Sequence, residues 1–506
     1  MYEYLLWEFT PDETQLGSWD IINDSSGVGA RELYEALKAS NYTTIITHHP
    51  QLLIHALSPF VGRKNDITIT IEKRNIKVLD INALTGSHKI DIPKCEAVFK
   101  TWKEVTKDSK KVNDLPLTRV QVLRQQVKNV MSWKNMSRLK SRLNQPLDMS
   151  GFRMYKQAKQ GGIMFVNQVY AGETLHNVYD YDLNSAYTAA CLTELFPSNL
   201  GTQIKPTESR LGSFNSLSTV RFRNLQCVGR FPYLYIKAAK VIGRFPILEN
   251  NRIVECDYVE VTLTPMDWER VKETYVWDEL EIVAQRIFGM EPLPRPIKKI
   301  IFDITYNDIV LKGVRGREDD RALNKVLKNS ITGMFGELKD ESQLTKERYY
   351  NPFWYIWLTS YVRCKLHKVA SDHPDTTVYV NTDGIALTEQ DDAYFDALDK
   401  EAWFKMEAVG FEFPKKIPGL WDCEVYQDYK TLGVNKEWRD GELKLGGYLV
   451  EPSRELLETI EDFTYDFRGV RPTIYRCVEG GKFKKVSKEY ADMISLIESC
   501  SKLTCA

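Results

Sequence analysis

The aspartate at position 182 has the surroundings of a metal ligand. A β-rich run ends at Asp182, and Asn184 or Ser185 then offers a natural cap for a following helix. Oxygen-rich, anionic sites for Mg²⁺ are often built where a strand ends beside the start of a helix. The pattern therefore predicts that Asp182 can hold a divalent cation. The alternative is structural, with Asp182 serving only as a cap of the helix.

A second aspartate, Asp383, lies in a polar turn. Two β-rich runs, 377–380 and 384–387, flank this turn, so the sequence predicts a hairpin with Asp383 at its tip. The alternative is an ordinary hairpin in which Asp383 and Gly384 only satisfy the geometry of the turn. Taken alone, the hairpin does not demand a functional role.

A basic helix is predicted between these two aspartates. Leu323, Val326 and Leu327 have helical spacing, which places Lys325 and Asn329 at i and i+4 on one face. A helix face that shows a lysine and an amide could grip a triphosphate. Without further context, a solvated helix with an apolar back explains the same pattern.

Positive charge is concentrated in residues 100–146. This segment carries twelve Lys and Arg against three Asp and Glu, and its part from Thr118 to Leu143 is predicted to be helical. The surplus could form a surface for a phosphate backbone, although a solvated helical face is the simpler alternative. Because the whole chain has a net charge of only −1, a polyanion would have to be held by such local patches.

The composition limits the architecture that must position these residues. A chain of 506 residues with 43% hydrophobic residues is too long for a single core and predicts two to four subdomains. No apolar run is long enough to span a membrane. Nine dispersed cysteines without a CxxC pair indicate reduced thiols in a cytoplasmic protein.

The order of strand carboxylate, basic helix and hairpin carboxylate resembles motifs A, B and C of family B DNA polymerases, usually DxxSLYP, KxxxNSxYG and DTDS. Residues 182–187 (DLNSAY) resemble the first motif, especially its DxNSLYP form in the protein-primed phage enzymes. Residues 325–333 (KVLKNSITG) resemble the second, and residues 381–384 (NTDG) the third. The aspartate of the first motif precedes the lysine of the second by 143 residues, and 58 more lead to the aspartate of the third.

The resemblance implies an α/β (α+β) fold: a right-hand polymerase with palm, fingers and thumb, preceded by a truncated exonuclease-like (RNase H-like) domain. The implied boundaries are 1–98 for a degenerate exonuclease-like domain, 99–160 for a basic helical link, 161–205 for palm with motif A, 206–300 for palm with an insertion like the first terminal-protein region, 301–348 for fingers with motif B, 349–430 for palm with motif C, and 431–506 for thumb.

The resemblance also implies roles in catalysis. Two Mg²⁺ ions, which Mn²⁺ can replace, would be held by Asp182 and Asp383, with the Leu183 carbonyl as a further ligand. Lys325 would neutralise the triphosphate, so the implied catalytic residues are Asp182, Asp383 and Lys325. The implied nucleotide-binding residues are Tyr187, Lys312, Arg317, Lys325 and Asn329. Tyr187 would lie under the sugar and exclude a 2′-hydroxyl, although a core aromatic is the alternative.

A further set of residues is implied to bind DNA. Gly161 and Gly162 resemble the YxGG element that precedes motif A, with Lys159 in the place of the tyrosine. Tyr429 and Lys436 belong to a region similar to the KxY element before the thumb. The complete predicted set is Arg124, Lys128, Gly161, Gly162, Ser330, Gly333, Tyr429 and Lys436.

The sequence departs from the family pattern in the motifs and at the N-terminus. Motif B has Thr332 instead of tyrosine, and motif C has Asn381 and Gly384 instead of aspartate and serine. We expect a weaker metal site that still functions. The first strand lacks the DxE pattern of the proofreading exonucleases, and we interpret the adjacent His48 and His49 as structural, so no 3′→5′ proofreading is expected.

These expectations combine into one leading function. The chain is predicted to be a template-directed DNA polymerase acting on primer-template DNA and dNTPs, primed by a terminal protein in the replication of a viral or plasmid-like genome in the host cytoplasm. One alternative is a specialised polymerase that copies RNA or adds nucleotides without a template. Another is a catalytically silent, nucleic-acid-binding homologue.

Overall fold

A computed structural model describes most of the chain from residue 136 to 445 and parts of both ends. The described residues are 4–12, 15–21, 26–40, 44–47, 50–65, 68–80, 92–105, 119–131, 136–243, 246–338, 349–414, 416–445, 459–461, 463, 475–478 and 482–485. The fold is mixed α/β, as predicted, and its strands form three seven-stranded sheets and two smaller ones. No helix in these ranges is both long and apolar enough to cross a membrane.

The N-terminal part contains the first seven-stranded sheet and two helices. Its elements are β1 (Tyr4–Asp12), β2 (Gln15–Ile21), β3 (Ser26–Val28), α1 (Gly29–Ala39), β4 (Thr44–Thr47), α2 (Pro50–Leu57), β5 (Gly62–Asn65), β6 (Thr68–Ile71) and β7 (Arg74–Asp80). The strand order is β3-β2-β1-β4-β7-β6-β5, with β4 parallel to both β1 and β7. The two helices cover the sheet because their leucines, among them Leu33, Leu37 and Leu53, are buried against its isoleucines.

Four helices lead from this sheet to the rest of the chain: α3 (Ile92–Val105), α4 (Arg119–Met131), α5 (Ser137–Leu143) and α6 (Met149–Ala158). The segment predicted as one helix from Thr118 to Leu143 contains two described helices, α4 and α5, and residues 132–135 between them lie outside the described residues. Asp148 caps α6 by accepting a hydrogen bond from the Gly151 amide.

The middle of the chain begins the central sheet and then forms a separate sheet. Its elements are β8 (Met164–Val166), β9 (Leu175–Leu183), α7 (Ala186–Thr193), β10 (Leu195–Pro197), β11 (Thr202–Ile204), β12 (Ser216–Cys227), β13 (Ala239–Val241), β14 (Ile247–Glu249), β15 (Arg252–Leu263), α8 (Pro265–Thr274), β16 (Tyr275–Val276), β17 (Glu279–Ile287) and β18 (Met290–Pro292). The separate sheet has the order β11-β17-β12-β15-β13, with β14 on β15 and β16 on β12. The strands β12 to β17 of this inserted sheet lie within residues 206–300, which are predicted to hold an insertion, whereas β11 precedes that segment.

The last part of the chain provides a helical hairpin and completes the central sheet. Its elements are α9 (Arg295–Val310), α10 (Glu318–Phe335), α11 (Phe353–Asp372), β19 (Thr377–Asn381), β20 (Gly384–Leu387), α12 (Asp392–Val409), β21 (Trp421–Gly433), β22 (Lys436–Arg439), β23 (Glu442–Leu445), β24 (Tyr475–Val478) and β25 (Lys482–Lys485). The central sheet has the order β23-β22-β21-β9-β20-β19-β8.

Three predicted boundaries disagree with these elements. The boundary at 98/99 falls inside α3, the boundary at 300/301 inside α9, and the boundary at 430/431 inside β21. Because β22 and β23 continue the central sheet beyond β21, residues 431–445 belong to that sheet and not to a separate thumb. The remaining predicted thumb lies largely outside the described residues.

A buried ion pair fixes α11 beneath the central and inserted sheets. Arg363 donates to Asp267 at 2.7 Å, and both side chains are almost completely buried. Tyr233 and Ser360 donate to the same carboxylate. Arg363 also donates to the carbonyl oxygen of Gly161 at 3.0 Å. The buried pair therefore holds the backbone that leads into β8.

Candidate active site

Two neighbouring strands bring Asp182 and Asp383 to the same end of the central sheet. Asp182 lies near the end of β9 and is paired with Gly384 at the start of β20. The predicted hairpin is confirmed: β19 and β20 are joined by Thr382 and Asp383, and Asn381 pairs with Gly384. The Leu183 amide donates to the Asp383 carbonyl at 2.8 Å. The strand register thus places the two aspartates as neighbours, although they are two hundred positions apart in the chain.

The two carboxylates are held without a protein partner. Burial and the nearby charge of Asp182 raise the pKa of Asp383 to about 6. Burial and the carboxylates of Asp422 and Glu424 likewise raise the pKa of Asp182. The Asp383 carboxylate accepts a hydrogen bond from its own backbone amide, but neither Asp182 nor Asp383 makes a side-chain hydrogen bond or ion pair with another described residue. A cation between them would offset their mutual repulsion.

The donor set suits a hard divalent cation. Carboxylate oxygens are the ligands that Mg²⁺ prefers, and Asp182 and Asp383 supply two of them at adjacent strand ends. Within the described ranges, no three His, Cys, Asp or Glu side chains form a metal-binding group. A bound ion would therefore need oxygens from elsewhere, such as a backbone carbonyl, water or substrate phosphates. The residues present fit Mg²⁺ held in that way.

A lysine that the sequence analysis missed lies next to this pair. Lys328 on α10 forms an ion pair with Asp308 on α9, and its Nζ atom donates to the Ser185 hydroxyl at 3.3 Å. Its positive charge acts to lower the pKa of both Asp182 and Asp383. The signal was present in the sequence, because Lys328 is three residues after Lys325 and a helix places both on one side.

Ser185 stands at the cap position of α7, but its side chain does not cap the helix. Its backbone is left-handed, with φ of 49°, and its hydroxyl makes no hydrogen bond to an α7 amide. The hydroxyl instead contacts Lys328 and the Asn184 side chain. The predicted start of the helix at Ser185 is therefore confirmed, but the side-chain hydrogen bond expected of a cap is absent, since the Ser185 hydroxyl takes part in contacts around the site.

Four residues predicted to bind the nucleotide lie on α10 or in the connection from α9 to α10. Lys312, Arg317, Lys325 and Asn329 are all exposed. Arg317 pairs with Asp320 and lines a cavity of about 500 Å³ between α3, α4 and the α9–α10 hairpin. Lys325 shares a helix face with Lys328. The side chains of Lys312, Lys325 and Asn329 make no hydrogen bond or ion pair with any residue that the structure describes, so all three are free to meet a ligand.

Tyr187 and Gly162 meet beside the Asp383 turn. Tyr187 lies in the first turn of α7 and is half-buried; burial and the Asp383 charge raise the pKa of its hydroxyl. An ideal Cβ atom on Gly162 would lie 2.9 Å from the Tyr187 hydroxyl and 3.2 Å from the Thr382 Cα atom. Only glycine leaves room here, so Gly162 allows the Tyr187 hydroxyl and the turn that carries Asp383 to lie close together. An atom added at Gly161 would meet nothing within 4 Å.

No protein-family model matches the sequence, and no curated protein matches it significantly. Solved structures match the fold. The orthorhombic crystal form of phi29 DNA polymerase superposes with a TM-score of 0.65 at 14% identity, covering 91% of this chain and 95% of that one. Its post-translocation binary complex with primer-template DNA gives 0.65 at 14% identity, covering 96% and 98%. Its ternary complex with primer-template DNA and incoming nucleotides gives 0.59 at 16% identity, covering 88% of each chain.

The chain shares the fold of phi29 DNA polymerase. The phi29 DNA polymerase complexes hold primer-template DNA, but two residues that we predicted to bind DNA are buried in this chain. Tyr429 is fully buried and its hydroxyl donates to Glu437 at 3.0 Å. Ser330 is buried and its hydroxyl donates to the Val326 carbonyl. Both predictions are wrong for the side chains, because the hydroxyl groups satisfy buried acceptors inside the protein.

Other residues predicted to contact DNA occupy varied surroundings. Lys436 is half-buried on β22, and Gly333 is an exposed position of α10 with open space where a side chain would stand. Arg124 forms an ion pair with Glu337, so part of the charge of the basic segment is used to dock α4 on the end of α10. Lys128 is exposed and lies 5.8 Å from the centre of the Tyr349 ring.

Further acidic residues lie beside the pair. Asp422 faces Asp182 across the pairing of β9 with β21 and forms an ion pair with Lys416. Asp180 precedes Asp182 by two positions on β9 and therefore points to the same face. Arg439 donates to Asp180 at 2.7 Å and also binds Glu437. Burial raises the pKa of Asp180 to about 6 although Arg439 opposes the rise. Because Arg439 occupies Asp180, the two unpartnered carboxylates of the site remain Asp182 and Asp383.

Proposed function

We propose that this chain is a template-directed DNA polymerase that adds dNTPs to a 3′-hydroxyl by two-metal phosphoryl transfer. The observation that carries the proposal is the pair of unpartnered carboxylates, Asp182 and Asp383, at adjacent strand ends below a basic helix face. Phosphoryl transfer depends on positioning and charge neutralisation more than on covalent chemistry. The similarity of the fold to phi29 DNA polymerase supports this reading of the pair.

Each part of the site then has a task. Asp182 and Asp383 would hold the metal ions, with the Leu183 carbonyl as a further ligand implied by the family resemblance. When bound, Mg²⁺ or Mn²⁺ lowers the pKa of the 3′-hydroxyl and neutralises charge on the leaving pyrophosphate. Lys325, which is exposed on α10, would neutralise the triphosphate. Tyr187 packs beneath the sugar and excludes a 2′-hydroxyl, which favours dNTPs over rNTPs.

The sheets and helices correspond to parts of a right-hand polymerase. We assign the central sheet to the palm and the α9–α10 hairpin to the fingers. The N-terminal sheet, in which an antiparallel β1–β3 meander is followed by the parallel strands β4 and β7, supports a truncated RNase H-like exonuclease domain. β1 (YLLWEFTPD) contains no DxE pattern, so we propose that this domain does not proofread. His48 and His49 lie outside the described residues.

The proposal of protein priming rests on the family resemblance and on the length of the inserted segment. The inserted sheet, from β11 to β17, lies between Asp182 and Lys325, where the protein-primed polymerases carry their first terminal-protein region. In that mode, a hydroxyl group of a terminal protein takes the place of the primer end. Incubation with a candidate terminal protein, labelled dNTP and Mg²⁺ tests this: covalent labelling supports it, and the absence of labelling on any genome-end protein contradicts it.

Primer extension tests the central proposal. The purified chain should extend a primed DNA template with dNTPs only when Mg²⁺ or Mn²⁺ is present, and Asp383→Ala should abolish the reaction. Asp257→Ala, at an exposed aspartate on the inserted sheet, is the matched control and should retain extension. Parallel reactions with an RNA template and without a template separate the specialised polymerases from the proposal. No incorporation under any condition would favour a silent nucleic-acid-binding homologue.

The same assay tests the lack of proofreading. A primer with a mismatched 3′ end should keep its length when it is incubated with the chain and Mg²⁺ in the absence of dNTPs. Robust 3′→5′ trimming by this chain alone would refute that part of the proposal.

A further inference from the structure

We propose that Lys328 is a second nucleotide-binding lysine, fixed beside the Asp182–Asp383 pair, which strengthens triphosphate binding and weakens metal binding. This inference rests on the proposed function. It concerns a residue three positions after the lysine of motif B and depends on the contacts of α10 with α7 and α9.

The geometry separates Lys328 from its neighbour Lys325. Arg321, Lys325 and Lys328 follow one another at i, i+4 and i+7 and so share one face of α10. Lys325 lies at the exposed part of this face. Lys328 lies deeper, and its ammonium group is 3.3 Å from the hydroxyl of Ser185, which directly precedes α7. Its position places a positive charge within the turn that follows Asp182.

Asp308 holds the Lys328 ammonium in this place. The Asp308 side chain is only 7% exposed, and one of its oxygens pairs with Lys328. Its other oxygen lies 3.6 Å from the Arg321 guanidinium, which is too far for a hydrogen bond. If Lys328 left this position, a buried carboxylate would lose its closest partner, and such a loss is costly. Lys328 therefore stays at the site whether or not a nucleotide is bound.

A fixed positive charge has opposite effects on the two ligands of a polymerase site. It repels a divalent cation that approaches Asp182 and Asp383, and it attracts the anionic triphosphate. If Lys328 only supported the packing of α10, its removal would weaken the binding of both the divalent cation and the triphosphate. The two signs therefore distinguish a direct electrostatic role from a structural one.

The test compares Lys328→Gln with Lys325→Gln in the full chain. Mn²⁺ binding to the free protein is measured by calorimetry, and the KM for dNTP is measured by primer extension. For Lys328→Gln we expect the Kd for Mn²⁺ to fall about three- to tenfold while the KM for dNTP rises about tenfold. Lys325→Gln should raise the KM for dNTP and leave the Kd for Mn²⁺ within about twofold of the unmodified chain, because Lys325 is exposed and farther along the helix face.

Two further variants distinguish an electrostatic effect from a folding defect, and thermal unfolding shows whether each variant is folded. Lys328→Arg keeps the charge and should keep both constants near those of the unmodified chain. Asp308→Asn leaves the Lys328 charge uncompensated and should weaken Mn²⁺ binding, which is the opposite of the effect of Lys328→Gln.

An unchanged or weaker Mn²⁺ affinity in folded Lys328→Gln, or an unchanged KM for dNTP, overturns the inference. The same holds if Asp308→Asn and Lys328→Gln shift the Mn²⁺ affinity in the same direction. Failure of the proposed function has a separate signature, namely no Mg²⁺-dependent incorporation by the unmodified chain, whatever the Mn²⁺ affinities of the variants.

Discussion

Gly162 lies so close to Tyr187 that a Cβ atom at position 162 would come within 2.9 Å of the Tyr187 hydroxyl. The same atom would lie 3.0 Å from the Thr382 side chain and 3.2 Å from its Cα atom. Distances below about 3.4 Å force neighbours to move, and Thr382 precedes the Asp383 carboxylate. A single glycine thus couples the predicted sugar-contacting ring to the hairpin that carries one of the two candidate metal ligands.

Gly162→Ala should therefore impair nucleotide selection as well as stability. We expect a loss of about 1–3 kcal/mol in the free energy of unfolding, as for overpacked sites, and a clear rise in the ratio of rNTP to dNTP incorporation. Denaturant unfolding and single-nucleotide extension measure the two effects. Gly161→Ala is the matched control, because a Cβ atom there meets nothing within 4 Å. Equal behaviour of the two alanine variants would contradict this account.

A double variant tests the contact itself. Tyr187→Phe removes the hydroxyl group that lies nearest to the added methyl group, while the contacts with Thr382 remain. The Gly162→Ala/Tyr187→Phe variant should thus be destabilised by less than the sum of the two single changes, with a coupling energy of at least about 0.5 kcal/mol. If the losses in the free energy of unfolding were additive, the Tyr187 hydroxyl would not be the group that clashes with the methyl group of alanine at position 162.

Asp383→Asn should separate stability from activity. Burial and the charge of Asp182 raise the pKa of Asp383, so the ionised form destabilises the metal-free fold at pH 7. Replacing the carboxylate with an amide removes this repulsion. In a buffer with chelator we expect a stability gain on the order of 1 kcal/mol, together with at least about a hundredfold loss of primer extension in Mg²⁺. Thermal unfolding with and without Mg²⁺ measures the first effect.

Asp257→Asn is the control for this experiment, since Asp257 is exposed on the inserted sheet. It should change neither the melting temperature in chelator nor the extension rate. A second comparison uses Mg²⁺, which should raise the melting temperature of the unmodified chain and have no such effect on Asp383→Asn. A destabilised Asp383→Asn variant in chelator would argue against an unpartnered carboxylate at this position.

The acid sensitivity of the fold should depend on His367. This residue is buried on α11, and its Nε2 atom donates to the Phe231 carbonyl at 2.9 Å. Burial lowers the pKa of His367 to about 3 although this hydrogen bond acts to raise it, so the ring is neutral at pH 7. The ordinary pKa in the unfolded chain is about 6.5, so the unfolded state binds a proton first as the pH falls. The stability contributed by the neutral ring is complete above pH 6.5 and is lost progressively between about pH 6.5 and 3.

His367→Gln should flatten this dependence. The variant loses the hydrogen bond to Phe231 and is less stable than the unmodified chain at pH 7.5. Below pH 6, the difference in the free energy of unfolding between the two proteins should shrink by up to about 1.4 kcal/mol per pH unit. Urea unfolding at a series of pH values gives both curves. His55→Gln, at an exposed position of α2, is the control and should leave the slope of the free energy of unfolding against pH unchanged. A constant difference across the pH range would mean that His367 does not carry the linkage.

The sequence sufficed to locate the carboxylate pair but not its cationic neighbour. The β-rich runs predicted the end of β9 and the hairpin, and the strand register then brings Asp182 and Asp383 together. Helical spacing places Lys325 and Lys328 on one face without revealing which ammonium group reaches inwards. That choice depends on the packing of α10 against α9, where Asp308 provides a buried partner.

Burial explains the other errors of sequence-based assignment. Tyr429 and Ser330 carry polar groups, but each finds an acceptor inside the protein, at Glu437 and at the Val326 carbonyl. A motif shows the residue type and not the direction of the side chain. The boundary at residue 431 failed for a related reason, because the strands β22 and β23 add to the edge of the central sheet through pairings that are invisible in composition.

Removal of Arg363 should be the most destabilising of the changes considered. Asp267 is fully buried, and although its burial favours protonation, the Arg363 charge and several hydrogen bonds hold its pKa below the usual value. Arg363→Met leaves this carboxylate without a cation and also frees the Gly161 carbonyl. We expect a loss of about 3–5 kcal/mol in the free energy of unfolding. Asp303→Asn, which breaks an exposed ion pair with Lys299, should cost less than about 0.5 kcal/mol. Urea unfolding of both variants gives the comparison, and similar losses would show that the buried pair does not anchor α11.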